Sequence, residues 1–264
     1  THYMTAKRKT PVEYVSDSNV LSLFKVFALV FVHPIITTNH LLNFYVLYSF
    51  ADTMEDHIAK TTESLQKGNI VAVPTDTIYG LAALAQNTEA VNKIYEIKNR
   101  ANQKPVAICV ADVKDVCKWG KVTVSNDLLQ ELLPGPVTLV FERTLSLNPD
   151  LNPATSLVGI RIPNCDFVRR LARSCGEPLA LTSANISSEE SPLSEFSHLF
   201  NKIDIVCDGG TLSETPESRF GSTVIRLTTP GKYSIIREGS AYKATVNLLV
   251  NKYNLEEESF STFI

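Results

Sequence analysis

Four side chains able to hydrogen-bond, Thr75, Asp76, Thr77 and Tyr79, follow a short β-branched run, Ile70 to Val73, that stops at Pro74. Hydroxyls and a carboxylate in one tight turn offer donors and acceptors at short range, and Gly80 lets main chain come close to whatever they hold. Such a turn suits the wall of a small-molecule pocket. An ordinary strand-turn-strand corner, its hydroxyls satisfying their own backbone, is the competing reading. Further on, Lys98, Arg100 and Lys104 cluster at a helix end, either as a phosphate clamp or as cations set against the negative end of the helix dipole.

Other polar groups sit at strand ends. Thr182-Ser183-Ala184-Asn185 ends a strand, where ligand sites of open α/β sheets lie, and its hydroxyls and amide suit phosphate oxygens or a ribose. Ser and Asn are also routine turn residues. Arg161 lies inside the apolar strand V-G-I-R-I-P and needs an anionic partner there, whether a ligand's carboxylate or phosphate or an internal Asp or Glu. Gly221-Ser222-Thr223 before a strand and Arg237-Glu238-Gly239 after one repeat the theme.

Several chemistries lack their signatures. The chain has no GxxxxGK[ST], GxGxxG or GxSxG, which disfavours a Walker-type NTPase, a dinucleotide dehydrogenase and an α/β-hydrolase. Cys109, Cys117, Cys165, Cys175 and Cys207 are scattered, with no CxxC pair, and the histidines show no HxxxH spacing, so neither a disulfide framework nor a protein-held metal is expected. A reducing compartment fits this cysteine usage. Asp127 and Glu131, four apart on a helix, read as a solvated face. A net charge of −3 gives no global push toward nucleic acid, and 44% hydrophobic with 20% charged residues over 264 positions is ordinary for a globular protein with one sizeable core.

The elements that must position these groups begin at Thr53, which forms a capping box with Asp56 before a helix that Gly68 ends. Asn87 or Thr88 opens a second helix, running to Lys98, and Val106 to Val110 is a strand. Asp112 to Trp119 reads as helical, Val122 to Val124 as a short strand, and Ser125 or Asn126 caps a helix through Leu133. Val137 to Phe141 and Leu157 to Ile162 are strands, Asp166 to Cys175 a helix closed by Gly176, and Leu179 to Thr182 a buried strand. Ser194 to Asn201 reads as helical and Ile203 to Cys207 as a strand. Ser222 to Leu227 and Tyr233 to Arg237 flank Pro230-Gly231 as a hairpin, Ala241 to Tyr253 is a last helix, and the acidic tail from Glu256 is expected to be loose. Interleaved helices, strands and hairpins predict a single mixed α/β sheet.

Residues 1–51 stand apart as an apolar N-terminal extension. Its apolar runs, Val20 to Val32 and Leu41 to Phe50, are shorter than the roughly 18 to 20 residues a spanning helix needs, so no stable membrane span is expected. Peripheral membrane association and a targeting role both stay open.

In order and spacing, P-T-D-T-I-Y-G-L, K-N-R with K-P, P-G-P-V-T-L-V, V-G-I-R-I-P, A-L-T-S-A-N, D-G-G, G-S-T-V and I-I-R-E-G resemble the YrdC family, its animal members above all. The resemblance covers residues 52–254, with 255–264 as a tail. It implies a twisted mixed sheet flanked by helices, with a concave basic groove. It also implies a nucleotidyltransferase making threonylcarbamoyl-adenylate and pyrophosphate from L-threonine, bicarbonate and ATP. This is the first step of N6-threonylcarbamoyladenosine formation in tRNA. By the same resemblance Thr75, Arg161 and Ser222 contact threonine; Lys98, Arg100, Ser183 and Asn185 form the catalytic set; and these four with Asn102 and Arg237 hold ATP, with Mg²⁺ arriving on the nucleotide.

The resemblance further implies a hand-off to the tRNA threonylcarbamoyl transferase machinery, with tRNA contact left open, in cytoplasm or mitochondrion. Three positions depart from the wider pattern: Ala101 where many relatives have Pro, Ser187-Ser188 for Ser-Gly, and Cys109 where many microbial members carry a His on the threonine side. The additional C-terminal domain of longer archaeal and fungal relatives is not expected. An RNA-binding module using the same groove is the alternative, although it leaves the threonine and serine blocks unexplained and no RNP-like aromatic pair is visible. A third reading, a carbamoyl-transfer relative like the YrdC-like part of hydrogenase-maturation proteins, is not expected, because the domains that accompany that part are not seen in these residues.

Overall fold

The computed structural model describes residues 45–46, 53–98, 105–184, 199, 202–209, 212 and 220–258, all within the unit His40–Ile264. Three of the helices start where the sequence offers side-chain caps. Helix α1, Met54–Gln66, has a reciprocal box: the Thr53 hydroxyl accepts from Asp56 N at 3.2 Å while the Asp56 carboxylate accepts from Thr53 N at 2.9 Å. Asn87 caps α2, Thr88–Ile97; a 3₁₀ turn leads into α3, Val116–Trp119; and Ser125 caps α4, Asn126–Leu132. Helix α5, Asp166–Cys175, ends at Gly176, whose φ of 71° is left-handed and costs a glycine nothing. Helix α6 is Tyr242–Asn251.

Twelve described strands form one mixed sheet. They are β1, Tyr45–Val46; β2, Val71–Val73; β3, Gly80–Leu84; β4, Ala107–Cys109; β5, Gly120–Lys121; and β6, Val137–Arg143. The others are β7, Leu157–Arg161; β8, Leu179–Ser183; β9, Ile205–Val206; β10, Thr223–Arg226; β11, Lys232–Arg237; and β12, Glu256–Glu257. Their order is β1-β9-β2-β3-β8-β4-β7-β6-β10-β11-β12, with β5 beside β6. Neighbours are parallel in β2/β9, β4/β7 and β6/β10 and antiparallel in β2/β3, β3/β8, β4/β8, β6/β7 and β10/β11.

The two-residue side-chain period divides the sheet into faces with different fates. On one face Ile70, Ala72, Leu81, Ala83, Ile108, Leu139, Phe141, Ile160 and Ile225 are buried with α2 and α4 residues such as Ile94 and Leu128. On the other, Val71, Val73, Ala82, Leu84, Cys109, Leu179 and Leu181 are buried by Leu65 of α1 and by Val168, Leu171 and Ala172 of α5. That second cluster takes no residue from β6, β7 or β10 among the described residues. The face of these strands that α1 and α5 leave open is where the polar groups gather.

Three sequence expectations need correction or limits. The strand expected at Val122 to Val124 lies earlier, at Gly120–Lys121 against Glu142–Arg143. Gly120 allows this approach, since a Cβ there would stand 3.1 Å from Phe141 Cβ, while Val122 and Val124 pack as side chains on the core and the Thr123 hydroxyl donates to Leu227 O. The tail is not loose at its start: Glu256 N donates to Gly231 O at 3.0 Å and Glu258 N to Tyr233 O at 2.7 Å, making β12 a parallel partner of β11. The helix expected at 194–201 falls outside the described residues, save Leu199.

Candidate active site

A cavity of about 570 Å³ opens on the uncovered face. Small residues make it concave. Gly159 and Ala107 lie in its floor, and a Cβ on Gly159 would come within 3.1 Å of Thr138 Cγ2 and 3.5 Å of Ala107 Cβ. Four polar walls surround this floor: the turn through Thr75, the β8 end at Thr182 and Ser183, the Gly221-Ser222 segment, and Arg237. The cavity size falls within the range of small-molecule sites.

The first wall is set by the turn between β2 and β3. Thr75 Oγ1 donates to Ile78 O at 2.7 Å and accepts from Thr77 N at 3.1 Å, so the turn is closed by its own hydroxyl as the corner reading required, yet Thr75 still lines the cavity. Tyr79, next to Gly80, also lines the cavity, while its hydroxyl joins the 207–209 segment, donating to Asp208 and accepting from Gly209 N at 2.8 Å.

Arg161 is at the end of β7, in register with Thr138 on β6 and Cys109 on β4. Its partner is internal: Nη2 contacts Asp76 Oδ1 and donates to Thr77 Oγ1 at 2.8 Å and Thr75 Oγ1 at 3.5 Å. The carboxylate's other oxygen accepts from Asn164 N at 2.9 Å. Arg161 nevertheless lines the cavity, so the guanidinium serves the turn and the pocket together.

Across the floor, Thr138 and Ser222 share a hydrogen bond of 2.8 Å between their hydroxyls. Arg237 Nη2 donates to Ser222 O at 2.7 Å and to its hydroxyl at 3.1 Å. A β-bulge precedes this contact: Val224 faces Arg237 while Ile225 faces Ile235, so Ile236 is the extra residue and both Ile236 and Arg237 line the cavity. At the β8 end, Lys98 Nζ donates 2.8 Å to Ser183 O. Lys98 is also the C-cap residue of α2, so it lies against the helix's negative end while reaching the pocket rim.

Among the sequence-predicted residues, Thr75, Arg161, Ser183, Ser222 and Arg237 line the one cavity and Lys98 bonds to its wall. Arg100, Asn102 and Asn185 lie outside the described residues, as does Lys104. The concavity expected of the groove is present. Of the cations that were to make it basic, Arg161 faces Asp76, and Arg237 and Lys98 are turned onto main-chain carbonyls. Cys109, the register partner of Arg161 on the neighbouring strand, is fully buried and does not line the cavity; burial pushes its thiol up to about 12.

One participant and one pairing were missed. Thr138, the lone hydroxyl in the apolar run V-T-L-V-F, sits beside Ser222 in the floor; its isolation in a buried strand was the available signal. Asp76 is the anion that Arg161 required, and nothing in the spacing of residues so far apart in sequence paired them.

A family model described as Sua5_yciO_yrdC, "Telomere recombination", matches residues 63–239. The chain is 51% identical over 195 residues to the threonylcarbamoyl-AMP synthase of Mus musculus, covering 72% of this chain and 70% of that protein. It is 50% identical over 195 residues to the protein of the same name from Homo sapiens, with the same coverage. Among solved structures, P. abyssi Sua5 complexed with L-threonine is similar with a TM-score of 0.66 and 27% identity over 78% of this chain, which spans 60% of that one. E. coli YciO, at 23% identity and a TM-score of 0.64 over 75% of this chain and 96% of its own, shares the fold. No described helix is long and apolar enough to cross a membrane. The matched stretch contains every residue placed around the cavity, and the chain belongs to the Sua5, YciO and YrdC family.

Proposed function

We propose that this chain is a threonylcarbamoyl-AMP synthase, a nucleotidyltransferase that joins L-threonine, bicarbonate and ATP into threonylcarbamoyl-adenylate with release of pyrophosphate. The observation that carries this reading is the convergence of Thr75, Thr138, Arg161, Ser183, Ser222 and Arg237 on one concave site, from six separate segments of the chain. Hydroxyls and guanidinium groups around a small concave floor suit an amino acid beside a polyphosphate.

Threonine's amine attacks bicarbonate carbon, water leaves, and the resulting carbamate oxygen attacks the α-phosphate in line as pyrophosphate departs. Thr75, Ser222 and Arg161 hold threonine. Lys98, Arg100, Asn102, Ser183, Asn185 and Arg237 surround the nucleotide. Negative charge builds on phosphate oxygens during transfer, so donors fixed beforehand lower the barrier, and holding two substrates at attack distance supplies much of the rest. Lys98 is fixed by its bond to Ser183 O, and Arg237 by its bonds to Ser222.

The donor set around the floor is hydroxyl, main-chain and guanidinium, which suits phosphate better than a metal ion, so Mg²⁺ belongs to the reading as part of the MgATP substrate. No enzyme nucleophile is required: Cys109, the nearest thiol to Arg161 in strand register, is fully buried with its pKa pushed up to about 12. The adenylate passes on to a tRNA threonylcarbamoyl transferase, in cytosol or mitochondrion.

The test is pyrophosphate release by the full chain with MgATP, with threonine and bicarbonate omitted in turn. Release that needs both supports the synthase. Release indifferent to threonine removes it, and salt-sensitive RNA retention without turnover replaces it with an RNA-binding module.

A further inference from the structure

The Arg161–Asp76 pair is the most enclosed ion pair among the described residues, its side chains 10% and 9% exposed. Its geometry is not that of a self-sufficient bridge. An Arg and a carboxylate left to themselves form a fork, two guanidinium nitrogens on two oxygens. Here the carboxylate is divided: Oδ1 faces Arg161 Nη2, and Oδ2 accepts from Asn164 N at 2.9 Å. All hydrogen bonds of the guanidinium to described residues come from that single Nη2, on Asp76, Thr75 and Thr77. Nε is buried with no hydrogen-bond partner.

An orphaned buried donor is unfavourable, and rotating the guanidinium to fork onto Asp76 would relieve it. The turn instead keeps three acceptors on one corner of Arg161, while Asn164 N keeps Asp76 from swinging to meet Nε. The effect is to hold the guanidinium by one nitrogen in a residue that lines the cavity, leaving Nη1 uncommitted among the described residues.

We infer that Asp76 is a positioning residue: it anchors Nη2 so that Nη1 of Arg161 is aimed at the carboxylate of the amino-acid substrate. Asp76 does not touch substrate itself. The inference rests on reading the cavity as a threonine site.

The experiment is a cycle of Asp76→Asn, Arg161→Gln and the double variant in the full chain. Asn keeps the size of Asp76 and an acceptor for Asn164 N while removing the charge. Kinetics are read for both substrates, with L-threoninamide, which lacks the carboxylate, as a competing ligand. The expected result for Asp76→Asn is a threonine KM raised roughly 10- to 100-fold, with the ATP KM and melting temperature near wild type. The preference for threonine over threoninamide shrinks in parallel, which a merely structural loss would not produce. The double variant matches Arg161→Gln alone, because Asp76 acts only through Arg161.

Should Asp76→Asn fail to fold with its unpaired guanidinium, the double variant, which removes that charge, decides the matter by comparison with Arg161→Gln. An unchanged threonine KM, an unchanged preference over threoninamide, or effects that multiply in the double variant overturn the inference. Wild-type protein without threonine-dependent pyrophosphate release overturns the synthase reading itself, before any variant is made.

Discussion

Arg237 holds Ser222 by two of its atoms: Nη2 donates to the main-chain oxygen at 2.7 Å and to the hydroxyl at 3.1 Å, and Nε reaches the same carbonyl at 3.2 Å. The Ser222 hydroxyl in turn lies 2.8 Å from that of Thr138. A bulge in β11 thus feeds a guanidinium into the start of β10, which is bonded across to β6, and one wall of the cavity is tied to its floor.

Arg237→Ala removes a prearranged donor and releases that wall. The catalytic efficiency for ATP is expected to fall roughly 100-fold, more than the value for threonine, in steady-state kinetics. Arg237→Lys recovers only part, since an ammonium cannot bond the carbonyl and the hydroxyl in the same fork.

Gly239 is predicted to be intolerant of any side chain. A Cβ there would collide with the Ser222 carbonyl and Thr223 N, both main chain and unable to rotate away. Gly239→Ala is expected to destabilise by about 1–3 kcal/mol in urea denaturation and to lower pyrophosphate release by shifting Ser222.

Lys98 offers the opposite balance. Its ammonium bonds the Ser183 carbonyl at 2.8 Å from a partly buried position at the end of α2. Lys98→Ala is expected to reduce pyrophosphate release roughly 100- to 1,000-fold. Its melting temperature should stay within about 4 °C of wild type, the shift that ~1 kcal/mol produces in a domain of this size.

Stability should decline in alkali. Burial raises the Cys109 thiol to about 12 and Cys207 to about 11, against an ordinary 9.0. Above pH 9 the unfolded chain releases protons that the folded chain keeps, so the unfolded state binds fewer and stability falls as pH rises; below 9 both states hold them and this stability is whole. Each thiol contributes up to about 1.4 kcal/mol per pH unit. Urea midpoints at about pH 8 and about pH 10 measure the slope, and Cys109→Ala is expected to flatten it by one thiol's share.

What the sequence determined by itself was local or repeated. Thr53 with Asp56, Asn87, Ser125 and Gly176 announce helix ends because each cap is satisfied within a few residues along the chain. The apolar runs around Ile108, Ile160 and Leu181 mark strands, and the order of the polar blocks marks the family and most of the cavity. Tertiary structure decided what depends on register between distant segments. Asp76, not a ligand, is the anion facing Arg161; Thr138 comes beside Ser222; Glu256–Glu257 becomes a strand because Gly231 and Tyr233 offer it free carbonyls. Each of these pairs joins segments far apart in the chain, brought together by strand order and by two helices that cover only part of one sheet face, and no local pattern carries that information.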